Sequence, residues 1–284
     1  MPHAALKAPQ QEDGISPRNF ARLAAFIQSE TGIKMPHSKL TMLEGRLRRR
    51  VRATGVADLN AYCELLFDPG RQQDETVHLI NAVTTNKTDF FREPRHFDYL
   101  TQTILPELKA RSSGRIRVWS AACSTGAEPY TIAMLLDDFA ERHGGPDYGI
   151  LATDLDTQVL ETARRGIYPA ELLKPVPERL RAQYVMQPLQ KGKGDVRIVP
   201  ALRSAIGYAR LNLMDDHYPV GDPMDIIFCR NVLIYFDRLT QEQVVSKLCD
   251  KLRVGGWLVV GHSESIAGMA LPVEQVSNNV FRRI

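Results

Sequence analysis

Four polar side chains draw attention: Glu128 in a small-residue loop that follows one apolar run, and Asp154, Arg230 and Asn231 where two others end. Glu128 lies two residues past Gly126 in "VWSAACSTGAEPYTIAMLLDDF" (118–139). That stretch reads as a strand, a small-residue loop, and a helix whose apolar side is Tyr130, Ile132, Ala133, Leu135 and Leu136. Asp154 closes the apolar run of "GILATDLDTQVLETARRGIY", 28 residues after Gly126, the length of one strand–helix–strand unit. "MDIIFCRNVLIYF" carries a buried strand, Met224 to Phe228, that ends in Arg230 and Asn231. "LRVGGWLVVGHSE" supplies one more polar strand end, His262 to Glu264.

In open sheets of alternating strands and helices, ligands sit beyond the carboxyl ends of the strands. The residue types narrow the ligand. A pyrophosphate loop needs G-x-G-x-x-G, and a P-loop ends in Gly-Lys-Ser/Thr. Neither is present, and Glu128 repels a phosphate at short range. S-adenosylmethionine carries no phosphate. Its amino-acid carboxylate suits a tight loop at a helix N-terminus, and its ammonium suits a carboxylate such as Glu128. An acid ending the second strand accepts from both ribose hydroxyls, which assigns Asp154. The competing role for Asp154 is the N-cap of "TQVLETARR"; Asp156 is the better candidate for that cap. Gly126, Glu128, Asp154, Arg230 and Asn231 are therefore candidate cofactor-binding residues in a Rossmann-like, class I S-adenosylmethionine-dependent methyltransferase domain of the α/β class.

The elements needed to hold those residues are visible. Strands are expected at 116–120, 149–153, 206–210, 224–229 and 257–262, with helices between most of them, hence a parallel sheet. "VEQVSNNVFRRI" predicts a closing hairpin turning at Ser277 to Asn279. A small β insertion is expected at about 183–204, around "QKGKG". Residues 1–15 are expected to be a flexible tail, 16–87 an all-α domain, 88–110 a linker helix and 111–284 the methyltransferase domain. Ser16 before Pro17 marks a helix start, and Gly32 and Gly55 mark stops.

The chain has 284 residues, 44% apolar and 24% charged, with a formal charge of +3, too small to imply nucleic acid by itself. No apolar run approaches the roughly 20 residues of a membrane span, and the N-terminus lacks a signal-peptide pattern. Cys63, Cys123, Cys229 and Cys249 form no zinc spacing, and reduced thiols, a cytoplasmic location and no metal are expected. Charge concentrates between Lys39 and Arg52, where six basic residues face one acid, Glu44. Leu40, Leu43, Leu47 and Val51 form the buried stripe of that helix. Arg46, Arg49 and Arg52 then face solvent, with Arg48 and Arg50 flanking the core. This is either a plain solvated face or a docking surface; no aromatic interleaving supports nucleic acid.

"TTNKTDFFREPRHF" (84–97), "WSAACSTGAEPYTIA" (119–133), "ATDLD" (152–156), "FCRNVLIYFD" (228–237) and "GHSE" (261–264) together resemble the bacterial chemotaxis receptor methyltransferase family, CheR. The resemblance runs in order from about residue 15 to the C-terminus. It implies a protein-glutamate O-methyltransferase acting on chemoreceptor cytoplasmic helices. It implies cofactor positions at Asn86, Thr88, Arg92, Glu128, Asp154, Asn212, Leu213, Arg230 and Asn231. Arg92 and Tyr235 match the positions nearest the transferring methyl; a surface salt bridge and a packed core tyrosine are their competing roles. It implies substrate docking by the basic helix, through Arg46, Arg49, Arg50 and Arg52. Some members bind a receptor C-terminal peptide by strand addition at the β insertion, a point this sequence leaves open. His262 is expected to be a strand-end hydrogen-bonding residue.

The chemistry is consistent. A glutamate substrate, with a reference pKa of about 4.3, is already ionised at neutral pH and needs no general base. No Ser/His/Asp or Cys/His device is evident. Orientation and partial desolvation are left as the sources of rate. A nucleic-acid methyltransferase is the nearest alternative, but its Asn/Asp-Pro-Pro-Tyr strand end is replaced here by "CRNVLIYF". A non-catalytic S-adenosylmethionine-sensing adaptor is the alternative from another class.

Overall fold

A computed structural model describes residues 14–70, 72–111, 114–187 and 194–284. The chain divides into two compact units at Val83/Thr84. Of the expected tail, 1–15, residues 1–13 lie outside the described residues; Ile15 is instead buried in the helical core, with its amide on Glu44 Oε1.

The first unit is helical: α1 (Pro17–Thr31), α2 (Leu40–Thr54), α3 (Leu59–Leu66) and α4 (Gln72–Val83). Local chemistry sets its boundaries. The Ser16 side chain accepts from the Asn19 amide with Pro17 in the first turn, and Asp58 caps α3 through the Ala61 amide. Gly32 and Gly55 close α1 and α2 in the left-handed conformation. Phe20, Leu23, Ile27, Leu43, Leu47, Tyr62, Leu66 and Leu79 pack as its core. Leu40 and Val51, expected in the buried stripe of α2, are half-buried against it.

The second unit begins with α5 (Arg95–Tyr99), a π-turn (Leu100–Ile104) and α6 (Leu105–Arg111). This segment is not a linker. Phe97, Leu100, Ile104, Leu105 and Leu108 are buried in the same core as the sheet. Then come β1 (Ile116–Ala121), α7 (Ala127–His143), β2 (Tyr148–Asp154), α8 (Thr157–Arg165), β3 (Ile167–Pro169), α9 (Glu178–Tyr184), β4 (Val185–Met186) and β5 (Asp195–Ile198). The unit ends with α10 (Pro200–Ser204), β6 (Ile206–Arg210), β7 (Met224–Cys229), α11 (Arg238–Lys251), β8 (Leu252–Val260), β9 (Val273–Ser277) and β10 (Val280–Arg283).

Seven strands form one sheet in the order β6-β2-β1-β7-β8-β10-β9. The five from β6 to β8 are parallel, and the terminal hairpin adds the antiparallel edge. From β1 the chain first builds outward to β2 and β6, then returns to place β7 on the other side. The switch point therefore lies between β1 and β7. Register sets the site: Ala121 is level with Thr153 and with Cys229, and Cys229 is level with Val260. The residues that follow each of these four strands emerge along one edge.

The β insertion is larger than expected. A second sheet, β3-β5-β4, draws Ile167–Pro169 into antiparallel pairing with Asp195–Arg197, so it starts before residue 183. A three-residue strand ending in proline gives little local signal. Most of the expected "QKGKG" turn, residues 190–193, lies outside the described residues. Strand β8 starts at Leu252, five residues early, because a register shift between Met224 and Ile226 accommodates Gly255 and Gly256.

Candidate cofactor site at the carboxyl edge of the sheet

Arg230, the first residue after β7, is 6% exposed. Its Nη1 donates to Glu128 Oε2 at 2.9 Å, and its Nη2 donates to Glu93 Oε2 at 3.0 Å and to the Arg92 carbonyl. The guanidinium also lies 5.2 Å from the centre of the Phe97 ring. A buried cation is tolerable only with matched anions and filled hydrogen bonds. Two carboxylates provide the match here, one of them held by Ser120 Oγ at 2.7 Å from Glu128 Oε1. Arg230 Nε is buried without a hydrogen-bond partner among the described residues. Burial alone would raise the Glu93 carboxyl, but the Asn231 amide, Arg230 and the His262 backbone N–H hold it down at about 2.

The loop between β1 and α7 turns on three left-handed residues, Ala122, Ser124 and Gly126. Phe91, Glu93 and Asn231 also have positive φ, so five non-glycine residues in this unfavourable region sit at one edge of the sheet. Three of the loop amides are bonded internally: Cys123 N–H to the Thr153 carbonyl, Ser124 N–H to Asp154 Oδ2, and Gly126 N–H to the Cys123 carbonyl. The loop carries a single glycine and neither phosphate-binding motif. Its surroundings offer carboxylates, which fit the hydroxyls and ammonium of S-adenosylmethionine, and an orphaned guanidinium N–H, which fits an acceptor. Gly126 is also required by packing. A Cβ there would come within 2.8 Å of the Ala163 Cβ and 2.9 Å of the Tyr168 hydroxyl.

Asp154 and Asp156 divide their labour. Asp156 Oδ1 caps α8 through the Gln158 and Val159 amides, and its Oδ2 accepts from Thr84 Oγ1 and Asn86 Nδ2. Asp154, 8% exposed, accepts from the Ser124 and Asp156 amides. Burial pushes its carboxyl up to about 6, with those backbone donors acting against the rise.

Two comparisons bear on this arrangement. The CheR methyltransferase SAM-binding domain matches residues 86–281, and the CheR methyltransferase all-alpha domain matches residues 18–84. The chain belongs to the CheR methyltransferase family. It is 40% identical over 253 residues to the chemotaxis protein methyltransferase of Escherichia coli, covering 89% of this chain and 86% of that protein. The corresponding Borreliella burgdorferi protein is 37% identical over 260 residues, covering 89% and 90%. The Salmonella typhimurium protein is 39% identical over 259 residues, covering 91% and 88%. This CheR chain is thus an S-adenosylmethionine-dependent methyltransferase with the expected Rossmann-like domain following a helical one in the sequence.

Within the CheR fold, Glu264 has a role the sequence did not disclose. It accepts from the Asn231 and Leu233 amides after β7 and from the Gly261 amide after β8. It thereby fixes the short turn Leu233–Tyr235 that carries half-buried Tyr235. Gly261 is required for that approach: a Cβ would meet Asn231 Nδ2 and Glu264 Oε2 at 2.7 Å. Glu93 is the second unanticipated residue, joining Asn231 Nδ2 at 3.0 Å and the His262 N–H at 3.1 Å. His262 makes this strand-end bond through its backbone. The one hint for Glu264 was its place in the polar strand end "GHSE".

The remaining expected positions fall as follows. Arg92 is half-buried and donates to the Lys87 carbonyl; it forms no surface salt bridge among the described residues. Thr88 is half-buried on the same segment. The Asn86 carbonyl accepts from Ser124 Oγ, and its amide nitrogen is committed to Asp156. Asn212 and Leu213 follow β6 directly beside β2, since the Leu211 amide donates to the Asp154 carbonyl. Asn212 Oδ1 accepts from Met214, and the Leu213 carbonyl accepts from Tyr218 and Lys247.

The basic helix splits. Arg49 and Arg52 are exposed, as is Arg48. Arg50 instead makes a two-pronged bond to buried Glu75, at 2.8 and 2.9 Å, shared with the Tyr62 hydroxyl at 2.8 Å. Arg46, expected on the solvent side, bends to the Val83 carbonyl at 2.6 Å. A long side chain near a helix C-terminus is drawn to its last carbonyls.

Proposed function

We propose that this chain transfers the methyl group of S-adenosylmethionine to glutamate side chains on the cytoplasmic helices of bacterial chemoreceptors, giving methyl esters. The observation that carries this reading is the family match over both units, joined to a strand edge of carboxylates without a phosphate-binding motif. The nucleic-acid alternative is not favoured by any relative described above.

Bound S-adenosylmethionine supplies an electrophilic methyl on a sulfonium. Glu128 accepts from the ammonium, held in place by Arg230 and Ser120. Asp154 accepts from the ribose hydroxyls. Asn212 and Leu213 border the adenine, and Asn86 and Thr88 border the site on the segment entering the unit. Asn231 carries the turn to Tyr235. Arg92 steers and aligns the substrate carboxylate, and the Tyr235 hydroxyl donates to one of its oxygens. Exposed Arg49 and Arg52 attract the acidic receptor helix, which raises the encounter rate at low salt. Arg46 and Arg50 serve this docking indirectly, by fixing α2 within its own unit. A receptor C-terminal peptide extends the β3-β5-β4 sheet at an edge such as β4, where Met186 is exposed. The reaction belongs in the cytoplasm because the proposed receptor helices lie there. The described residues contain no helix long and apolar enough to cross a membrane.

The test is methyl-labelled cofactor with a receptor cytoplasmic fragment, followed by mild alkali. A carboxyl ester releases volatile labelled methanol. Alkali-stable label, or no label on the receptor, rejects this function.

A further inference from the structure

Glu93 and His96 are three residues apart across the start of α5, and His262 arrives from the end of β8, 166 residues later. Each offers a donor atom, and those atoms lie within 4.8 Å of one another. His96 Nδ1 is 3.5 Å from Glu93 Oε2, and the two imidazoles meet edge to face at 4.8 Å between ring centres.

His96 is the anomaly. It is 2% exposed, yet neither ring nitrogen has a hydrogen-bond partner among the described residues. A buried polar ring left unsatisfied costs free energy, and such groups call for an explanation. The bonds described above use three of the roughly four acceptor sites of the Glu93 carboxylate.

We propose that Glu93, His96 and His262 form a binding site for a divalent transition metal ion of the zinc, cobalt or nickel class. Two imidazoles and one carboxylate are the donor set such ions take when they keep a position open to water. His262 is exposed, which gives the ion a path from solvent. The nearby Arg230 guanidinium does not forbid a cation. Its single charge already faces both Glu93 and Glu128, so the local sum is negative before the ion arrives. The four cysteines are buried and offer no competing surface thiolate. The ion shares Glu93 with Arg230, which ties this site to the cofactor edge. A sequence reading misses it, because the third ligand is remote along the chain.

The experiment is cobalt(II) titration of the untagged full-length chain, followed by visible absorption and displacement with zinc. One equivalent should bind with a ligand-field band that zinc abolishes. His262→Ala, at an exposed position, should weaken binding by at least about tenfold, since even outer-shell changes cost 10–100-fold. His96→Asn should do the same, with thermal unfolding checked alongside. No band, or a band and affinity unchanged in His262→Ala, overturns the site.

Discussion

Arg230 and Glu128 meet at 2.9 Å although 102 residues separate them. One leaves β7 and the other opens α7 after β1, so their bond spans the switch point of the sheet. The crevice expected there is bounded by a fixed ion pair, and the carboxylate proposed for the ammonium is pre-oriented by a buried cation.

Glu128→Gln keeps the shape and removes the charge. A hydrogen bond to a charged group contributes about 1.5–3 kcal/mol, so cofactor affinity should fall by about 10- to 100-fold in calorimetry. Arg230→Met should act differently. It leaves Glu93 and Glu128 without their cation and should destabilise the fold by about 3–5 kcal/mol in urea titration. Unchanged stability would mean that the ion pair contributes nothing to holding this edge.

Asp154 predicts a pH dependence. Its folded carboxyl titrates at about 6, above the ordinary 3.8. Between those values the folded state holds a proton that the unfolded chain has released. The stability linked to this group is therefore fully present below about pH 4 and is lost as pH rises through about 6. Ribose hydroxyls donate to the ionised form, so cofactor affinity should decline as pH falls below about 6, by up to about tenfold per unit. Asp154→Asn should bind weakly and lack this step. A profile matching the parent chain would assign the titration elsewhere.

The basic helix should separate stability from docking. Arg50→Ala strands buried Glu75 and should destabilise the helical unit by about 3–5 kcal/mol. Arg49→Glu and Arg52→Glu are surface changes and should stay within about 0.5 kcal/mol of the parent. They should slow receptor methylation at low salt and converge with the parent at high salt. Indifference to both charge and salt removes the docking role.

Tyr235→Phe deletes one hydroxyl on a turn fixed by Glu264. Turnover should drop by about tenfold or more while cofactor affinity holds, the signature of a contact to the reacting group. Equal turnover makes Tyr235 a packing residue.

Much of this was legible in the sequence because the signals are local. Apolar runs gave the parallel strands, and caps such as Ser16, Asp156, Gly32 and Gly55 gave helix ends that the structure reproduces. Asp154 and Arg230 stood out because a polar residue ending a buried strand is conspicuous, and Glu128 because a carboxylate is out of place beside a would-be phosphate loop. What was hidden depends on distant partners. Glu93 and Glu264 acquire their roles from strands 137 and 31 residues away. Arg50 looked like its exposed neighbours, since only the fold reveals that Glu75 lies buried beside it. The segment 88–110 looked like a linker because its apolar face needs the sheet to show what it packs against.

The most direct measurement is the structure of the full chain with S-adenosylhomocysteine bound. The account predicts the ligand at the carboxyl edge between β1 and β7, its ammonium on Glu128 and its ribose on Asp154. A ligand seated elsewhere, or contacting neither carboxylate, contradicts it.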